Sequence, residues 1–339
     1  MKVVIPVGSL ETGGGCKTLV DTANALVKRG HQAEIVIPNG MPIKYPVHAK
    51  VRTVPTLSKD YIPYGDIILA NYYITFLPAF QAWPQQVVRL CQGFEPYWVP
   101  DKDFATWTYN QNVPIISISH WLNQQIVNAV QKPSSAVVNL GIDPQIFHPI
   151  RISKPKRKKK IILYIARDPN LGYAVKGFSE FAQAMKMINR KYKGKFIVHL
   201  ICPENRLRLP GIAHRVFQPQ TDVEMANLYR QADVFVSSSR AEGYGLPPLE
   251  AMACATPVVT TNSGGVMDFA AHGHSAFVVP PLQPRALANG IVTVLKNKPL
   301  SNRLVQGGLA ASRRLTKPAF EHNIVHALQV IHRYRVNRS

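Results

Sequence analysis

Residues 241–254 read AEGYGLPPLEAMAC, with Glu242 and Glu250 on either side of a Gly243-Tyr244-Gly245 turn. Leu246, Pro247 and Pro248 follow, which places proline in the first turn of a helix running through LEAMA. Upstream, DVFVSSS (233–239) alternates apolar and small polar residues and reads as a buried strand. The order is therefore strand, glycine loop, helix N-terminus. That junction aims backbone N–H groups and the positive helix end at whatever occupies the loop, which suits an anion. Glu250 falls about one turn inside the helix, where a carboxylate can accept two hydrogen bonds from a diol. Glu242 sits at the C-terminal end of the strand, where ligands of open α/β sheets collect.

Working back to the start, VVIPVG (3–8) is a first strand, followed by Gly13, Gly14 and Gly15 and then an amphipathic helix. Leu19, Ala23, Leu26 and Val27 form its apolar stripe and Gly30 closes it. HQAEIVI is a second strand, so the chain opens as a βαβ unit. A phosphate-binding P-loop is excluded because Cys16 precedes Lys17-Thr18 and Glu11 stands where the first glycine belongs. The dinucleotide fingerprint fails at Thr18. DIILA, VVRLC and PIISIS read as buried parallel strands. Between them, CQGFEPYW sets Gln92 and Glu95 beside Phe94, Tyr97 and Trp98, a suitable surface for a sugar. The uncharged stretch 67–88 contains prolines, glutamines and an asparagine, and reads as a strand and a helix or loop rather than a membrane span.

The glutamate stretch resembles the E-x7-E motif of retaining GT-B glycosyltransferases, in particular glycosyltransferase family 4, the glycosyl transferases group 1. The resemblance implies that Glu250 holds the ribose of a nucleotide sugar and that Glu242 lies near its sugar. Gly243, Tyr244, Gly245 and Leu246 then belong to the donor loop. IILYIARD (161–168) is a strand with Arg167 at its end, followed by Asp168, and Lys176-Gly177 opens the next helix. Arg167 and Lys176 resemble the family's pair that neutralises the donor diphosphate, although the spacing is longer than usual and Ala166 replaces a glycine. NSGGVMD resembles the family's S-G-G-x-x-E segment, with Gly264 and Gly265 approaching the donor and Asp268 in place of the glutamate. The loop at Gly14 and Gly15 resembles the family's N-terminal glycine loop, which implies that both glycines bind the donor, near its phosphates and close to the acceptor. CQGFEP resembles its Q-x-x-E-P segment, which puts Gln92 and Glu95 on the acceptor side. His120, in SISHWL, is the nearest candidate for an acceptor-side histidine, at a position where the family has a residue of a helix cap. AVVNLGIDPQIFHP resembles the family's hinge segment, with Leu140 inserted.

The 339 residues suit two domains, and 46% hydrophobic content gives each a core. The four cysteines are scattered without a C-x-x-C pair, which argues against structural zinc or a disulfide framework and for a reducing compartment. The opening MKVVIPVG is too short for a signal peptide. Asp101-Lys102-Asp103 spells D-x-D but sits in a polar aromatic loop away from the glutamate pair, so no metal is assigned. Net charge is +21, and residues 151–339 hold 29 Lys and Arg against 10 Asp and Glu. Such a field attracts nucleotides, nucleic acid or anionic lipid. RISKPKRKKK (151–160), seven cations in ten residues, marks a solvated boundary.

The sequence therefore predicts an α/β protein of GT-B fold: two Rossmann-like domains facing an interdomain cleft. Residues 1–150 form an acceptor-side domain and 151–316 a nucleotide-sugar domain, with 317–339 a helix crossing back to the first. The expected activity is retaining, metal-independent transfer of a sugar from a nucleotide diphosphate sugar, a co-substrate rather than a cofactor, to an acceptor hydroxyl. The acceptor is a glycan, a lipid-linked glycan or a small molecule, with polysaccharide or glycoconjugate synthesis as the setting. The expected location is cytoplasmic, and the basic half permits peripheral contact with an anionic membrane. The rivals are another GT-B enzyme acting on nucleotide sugars, such as an epimerase, and a basic nucleic-acid-binding protein; no nucleic acid partner is expected.

Overall fold

The computed structural model describes residues 1–11, 13–150 and 157–337. The first six residues of the basic run, 151–156, lie outside them. The described chain divides into two compact units, Met1–Leu140 with Pro318–Ser339, and Gly141–Lys317.

In the first unit, β1 (Lys2–Pro6), α1 (Gly14–Lys28), β2 (Gln32–Pro38), β3 (Lys50–Val54) and β4 (Ile67–Ala70) are followed by α2 (Tyr73–Ala82) and β5 (Val87–Cys91). Then come α3 (Lys102–Asn110), β6 (Ile115–Ser117), α4 (His120–Val130) and the short β7 (Ala136–Val137). The strands are all parallel, in the order β3-β2-β1-β4-β5-β6-β7. A parallel sheet flanked by helices buries both faces, so its strands are continuous apolar runs rather than alternating ones. Val3, Val4 and Ile5, and Ile67 through Ala70, are accordingly buried without a break. In α1 the apolar stripe differs by a few positions from the periodic reading: Leu19, Val20, Ala23 and Leu26 are buried, whereas Val27 is 37% exposed. Gly30 ends that helix at φ 78°, a left-handed backbone that favours glycine. The uncharged 67–88 stretch is strand, helix and the start of a strand.

The second unit repeats the scheme with β8 (Lys160–Ile165), α5 (Phe178–Tyr192), β9 (Phe196–Ile201), β10 (His214–Phe217) and α6 (Asp222–Gln231). It continues with β11 (Val234–Ser237), α7 (Leu246–Ala253), β12 (Val258–Thr261), β13 (Phe277–Val279), α8 (Pro284–Lys296) and α9 (Lys298–Arg314). Its order is β10-β9-β8-β11-β12-β13, again parallel throughout. One core joins Ile162, Tyr164, Phe181, Met185 and Ile188 to Leu287 and Ile291 of α8. In each unit the strand order reverses beside the first strand, at β1/β4 and at β8/β11. Chains leave such a switch point in opposite directions, which opens a crevice at the C-terminal ends of the strands.

Residues 141–150 belong with the second unit because they are tied to it. Ile142 N–H donates to the Leu315 carbonyl at 3.1 Å and Lys317 N–H to the Ile142 carbonyl at 2.7 Å. Arg230 Nε donates to the His148 carbonyl at 2.9 Å. The last helix, α10 (Lys317–Val336), rests on the first unit: Arg335 Nη2 donates to the Val87 carbonyl at 2.8 Å, and Gln329 meets His31 at 3.0 Å. No helix among the described residues is long and apolar enough to cross a membrane.

Candidate functional site

The loops after β8 and β11 meet at the switch point of the second sheet. Beyond β8, Arg167 is followed by two short 3-10 turns, Pro169–Leu171 and Ala174–Lys176. Asp168 starts the first of these, its carboxylate accepting from Asn170 N–H at 2.9 Å. Gly177 then caps α5 at φ 71°. A Cβ on Gly177 would stand 2.0 Å from the Ser238 carbonyl oxygen, so only glycine lets these two loops touch. The contact is cemented from both sides. Ser238 Oγ donates to the Gly177 carbonyl at 2.8 Å, and the buried Tyr164 hydroxyl donates to the Lys176 carbonyl at 3.0 Å. Burial raises the Tyr164 phenol above its ordinary range, so it stays a proton donor.

This interlock brings Lys176 to Glu242. The ammonium lies 2.8 and 2.9 Å from the two carboxylate oxygens, and Ser239 Oγ donates to Oε1 at 2.7 Å. The main chain of Glu242 is fixed to the 263–265 segment. Its N–H donates to the Ser263 carbonyl at 2.6 Å and its carbonyl accepts from Gly265 N–H at 2.9 Å. A Cβ on Gly265 would come within 2.0 Å of the Gly243 carbonyl oxygen, which accounts for glycine there. Gly264 and Gly265 thus sit against Glu242 and Gly243, two stretches that the sequence separates by about twenty residues.

Arg167 is placed differently from Lys176. Its Nε donates to Glu204 Oε1 at 2.6 Å, and its guanidinium lies 3.6 Å above the Tyr173 ring. The two cations share a loop, since Lys176 N–H donates to the Tyr173 carbonyl at 2.9 Å, but each has its own carboxylate.

The glycine loop Gly243–Gly245 leads into α7, with Gly245 as its N-cap at φ 93°. Proline at 247 and 248 removes two amide hydrogens, so of the first three helical positions only Leu246 keeps an N–H. Tyr244 points inward: it is 3% exposed and its ring lies 5.5 Å from Phe269. Its side chain is a core element, a correction to the reading that placed it on the donor. Glu250, in the second turn of α7, accepts a hydrogen bond from the Tyr229 hydroxyl at 2.8 Å. Tyr229 is fully buried between Phe235 and Phe147. Burial first, and then the Glu250 charge, raise its phenol well above the ordinary value, so Tyr229 remains a donor to the carboxylate.

In the first unit, Gly14 and Gly15 form the first turn of α1 after the N-cap Gly13. Gly13 N–H donates to Tyr45 Oη at 2.7 Å, and that hydroxyl donates back to the Gly13 carbonyl at 3.0 Å. A Cβ at Gly15 would meet Gln92 Oε1 at 3.5 Å, so the glycine loop and Gln92 lie side by side beyond β1 and β5. Glu95 does not join them. It is 1% exposed, pairs with the fully buried Arg89 at 2.7 Å and accepts from the Tyr109 hydroxyl. The expectation that Glu95 offers its carboxylate to an acceptor is corrected: an acid already neutralised in the core cannot leave it without stranding Arg89. His120 is exposed at the first position of α4, whose N-cap Ser119 accepts from Leu122 N–H at 3.1 Å. Asp101 of the D-x-D sequence caps α3, accepting from Phe104 N–H at 2.9 Å. Among the described residues no three His, Cys, Asp or Glu side chains gather closely enough to hold a metal.

Sequence reasoning missed Tyr229, Ser239, Glu204 and Tyr173. Ser239 was legible as the polar end of the strand. The other three depend on contacts made only by the folded chain.

Residues 148–310 match the family described as Glycosyl transferases group 1. An uncharacterized glycosyltransferase of Methanocaldococcus jannaschii is 27% identical over 170 residues, 46% of this chain and 47% of that protein. The chain spans about half, or less, of the length of the curated relatives it matches. Among solved structures, sucrose-phosphate synthase from Thermosynechococcus elongatus superposes with a TM-score of 0.80 at 18% identity, covering 100% of both chains. Anabaena HepE in complex with UDP-glucose does so with a TM-score of 0.77 at 19% identity, covering 97% of this chain and 100% of that one. Two parallel-sheet Rossmann-like units with these strand orders define a GT-B fold, the architecture of those structures. The matched stretch, just under half of the chain, lies within the second unit.

Proposed function

We propose that this protein is a retaining glycosyltransferase that moves a sugar from a nucleoside diphosphate sugar to an acceptor hydroxyl. The observation that carries the reading is the convergence of Lys176 on Glu242, with Gly264 and Gly265 against that glutamate, at the switch point of the second sheet. Lys176 and Arg167 neutralise the donor diphosphate, and Glu250, oriented by Tyr229, accepts hydrogen bonds from the ribose. Glu242 lies at the donor sugar and holds Lys176 in place before the donor arrives. In the reaction the bond from the anomeric carbon to the phosphate oxygen breaks and a bond to the acceptor oxygen forms on the same face. The acceptor proton passes to the departing phosphate oxygen. Negative charge grows on that diphosphate, and fixed cations stabilise it more in the transition state than before it. In this scheme protein cations fill the place of a metal, and the nucleotide sugar is a co-substrate, with no further cofactor. Gly14 and Gly15 are assigned to the donor phosphates, and Gln92 and His120 to the acceptor side; Glu95 is not. The setting is polysaccharide or glycoconjugate synthesis.

A panel of nucleotide sugars, incubated with candidate acceptors and read for released nucleoside diphosphate and for anomeric configuration by NMR, tests the reading. The expected products are a nucleoside diphosphate and a glycoside with the donor's configuration. An isomerised nucleotide sugar formed without an acceptor would show an epimerase, and an inverted glycoside would remove the retaining mechanism.

A further inference from the structure

Three shallow grooves adjoin on the second unit, away from the donor loops. The first, about 620 Å³, is lined by Arg157, Lys159, Lys160 and Lys298, with Asp233 opposite them. The second, about 590 Å³, shares Lys298 and adds Lys296 at the junction of α8 and α9. The third, about 770 Å³, shares Val292 and Thr293 with the second and adds Arg190, Lys191 and Arg285. The belt therefore runs from the N-terminal edge of the sheet, along α8, to the end of α5. Its lining carries eight Lys or Arg and a single acid. All eight cations belong to exposed residues. Asp233 is paired with Lys160 at 3.2 Å, so seven cations have no carboxylate among the lining residues.

The floor between these cations is aliphatic. Val292, Leu295, Val305 and Ile188 lie along it, and Met187 is 40% exposed at its end. Long basic side chains over an apolar floor are suited to an interface that is charged outside and greasy within, because their stems cover apolar surface while their heads reach outward. Single-stranded nucleic acid would want open aromatic faces for its bases. The belt's one aromatic ring, Tyr192, is already covered: Lys296 Nζ lies 4.4 Å from its centroid and 3.1 Å from its hydroxyl.

Orientation adds a second argument, drawn within this unit alone. Lys160 opens β8, Asp233 precedes β11 and Pro257 precedes β12, so the first groove lies at the N-terminal edge of the sheet. Arg167 and Glu242 follow the C-terminal ends of β8 and β11. A six-residue strand separates the two edges by about 20 Å, so a surface docked on the belt leaves the donor loops uncovered.

We propose that this cationic belt docks the protein on an anionic phospholipid bilayer, with the basic side chains at the headgroups and the Met187 end at the acyl boundary. The docking does not depend on the transfer chemistry. Each Lys or Arg near an anionic membrane contributes about fivefold in partitioning. The test is cosedimentation of the full chain with phosphatidylglycerol–phosphatidylcholine vesicles and with pure phosphatidylcholine vesicles. The parent should bind only the anionic ones and be released as salt rises towards ~0.5 M. A triple substitution, Lys191→Gln, Lys296→Gln and Lys298→Gln, should weaken that binding by about a hundredfold. An equal change of charge at Arg206, Arg208 and Arg313, exposed residues outside the three grooves, should weaken it by less than about tenfold. Equal losses in the two triple variants would overturn the proposal, as would a parent that binds heparin or duplex DNA but ignores anionic vesicles. Because the readout is sedimentation, a failure here is separate from a failure of glycosyl transfer.

Discussion

Replacing Lys176 with Met keeps an unbranched stem and removes the ammonium. In the structure that ammonium bridges both oxygens of Glu242 at 2.8 and 2.9 Å, with the lysine side chain 34% and the glutamate 17% exposed. A pair this open to water contributes about 0–1 kcal/mol to folding, so the melting midpoint should fall by no more than about 2–4 °C. The loss should appear at the donor instead. A charge-assisted hydrogen bond to a diphosphate oxygen is worth about 1.5–3 kcal/mol, or roughly 10- to 150-fold in Kd. Turnover should fall further, by about 10²–10³ in kcat, because the diphosphate gains charge as it departs. Titration calorimetry with the nucleoside diphosphate that binds the parent, together with initial rates of its release from the sugar donor, measures both. Glu242→Gln serves as the companion variant: it keeps the cation, so diphosphate affinity should survive while turnover falls. If Lys176→Met matches the parent in affinity and in rate, the cation does not meet the donor and the site assignment is wrong.

Three further outcomes are expected. Tyr229→Phe removes the hydroxyl that donates to Glu250 at 2.8 Å, and should weaken donor binding by about 3- to 10-fold, the worth of one modest hydrogen bond, in the same calorimetric assay. Gly265→Ala drives a methyl to within 2.0 Å of the Gly243 carbonyl oxygen, and should cost about 1–3 kcal/mol in urea denaturation, with activity lost as the loops part. Burial, reinforced by Arg215 and Arg157, lowers the His199 imidazole from 6.5 to about 4. The unfolded chain then takes up a proton that the folded chain refuses. This contribution is complete above pH 6.5 and is lost as pH falls towards 4. Denaturation midpoints between pH 7 and 4.5 should therefore fall more steeply for the parent than for His199→Phe, and parallel curves would contradict the assignment.

The sequence was readable wherever local pattern and backbone geometry decide the outcome. Strands such as IILA and VVRLC declare themselves by continuous apolar runs, and the strand–glycine–helix order at 233–253 leaves few alternatives. Glu242 and Lys176 could be singled out, yet nothing local says that they touch. That contact depends on Gly177 nesting against Ser238, across a span of about sixty residues. Glu95 misled because Phe94, Tyr97 and Trp98 around it look like a surface for sugars, and Tyr97 and Trp98 are indeed exposed. The warning was Arg89. A charged residue inside an apolar strand must find a partner or leave the core, and Glu95 is the acid nearest to it in sequence. Tyr244 misled in the same way: its glycine neighbours suggested an open loop, and its ring instead fills the space beside Phe269.

The contacts between the loops after β8 and β11 extend beyond Gly177 and Ser238. Arg240 N–H donates to the Val175 carbonyl at 2.8 Å, and the Arg240 side chain reaches Glu180 of α5 at 2.6 Å. A segment held at this many points has little conformational freedom left to surrender when a ligand arrives. Affinity for the nucleotide should then be limited by contact chemistry rather than by the cost of arranging the loop. Substitutions that change which sugar is chosen would have to work around a rigid frame, by exchanging side chains on it rather than by reshaping its course.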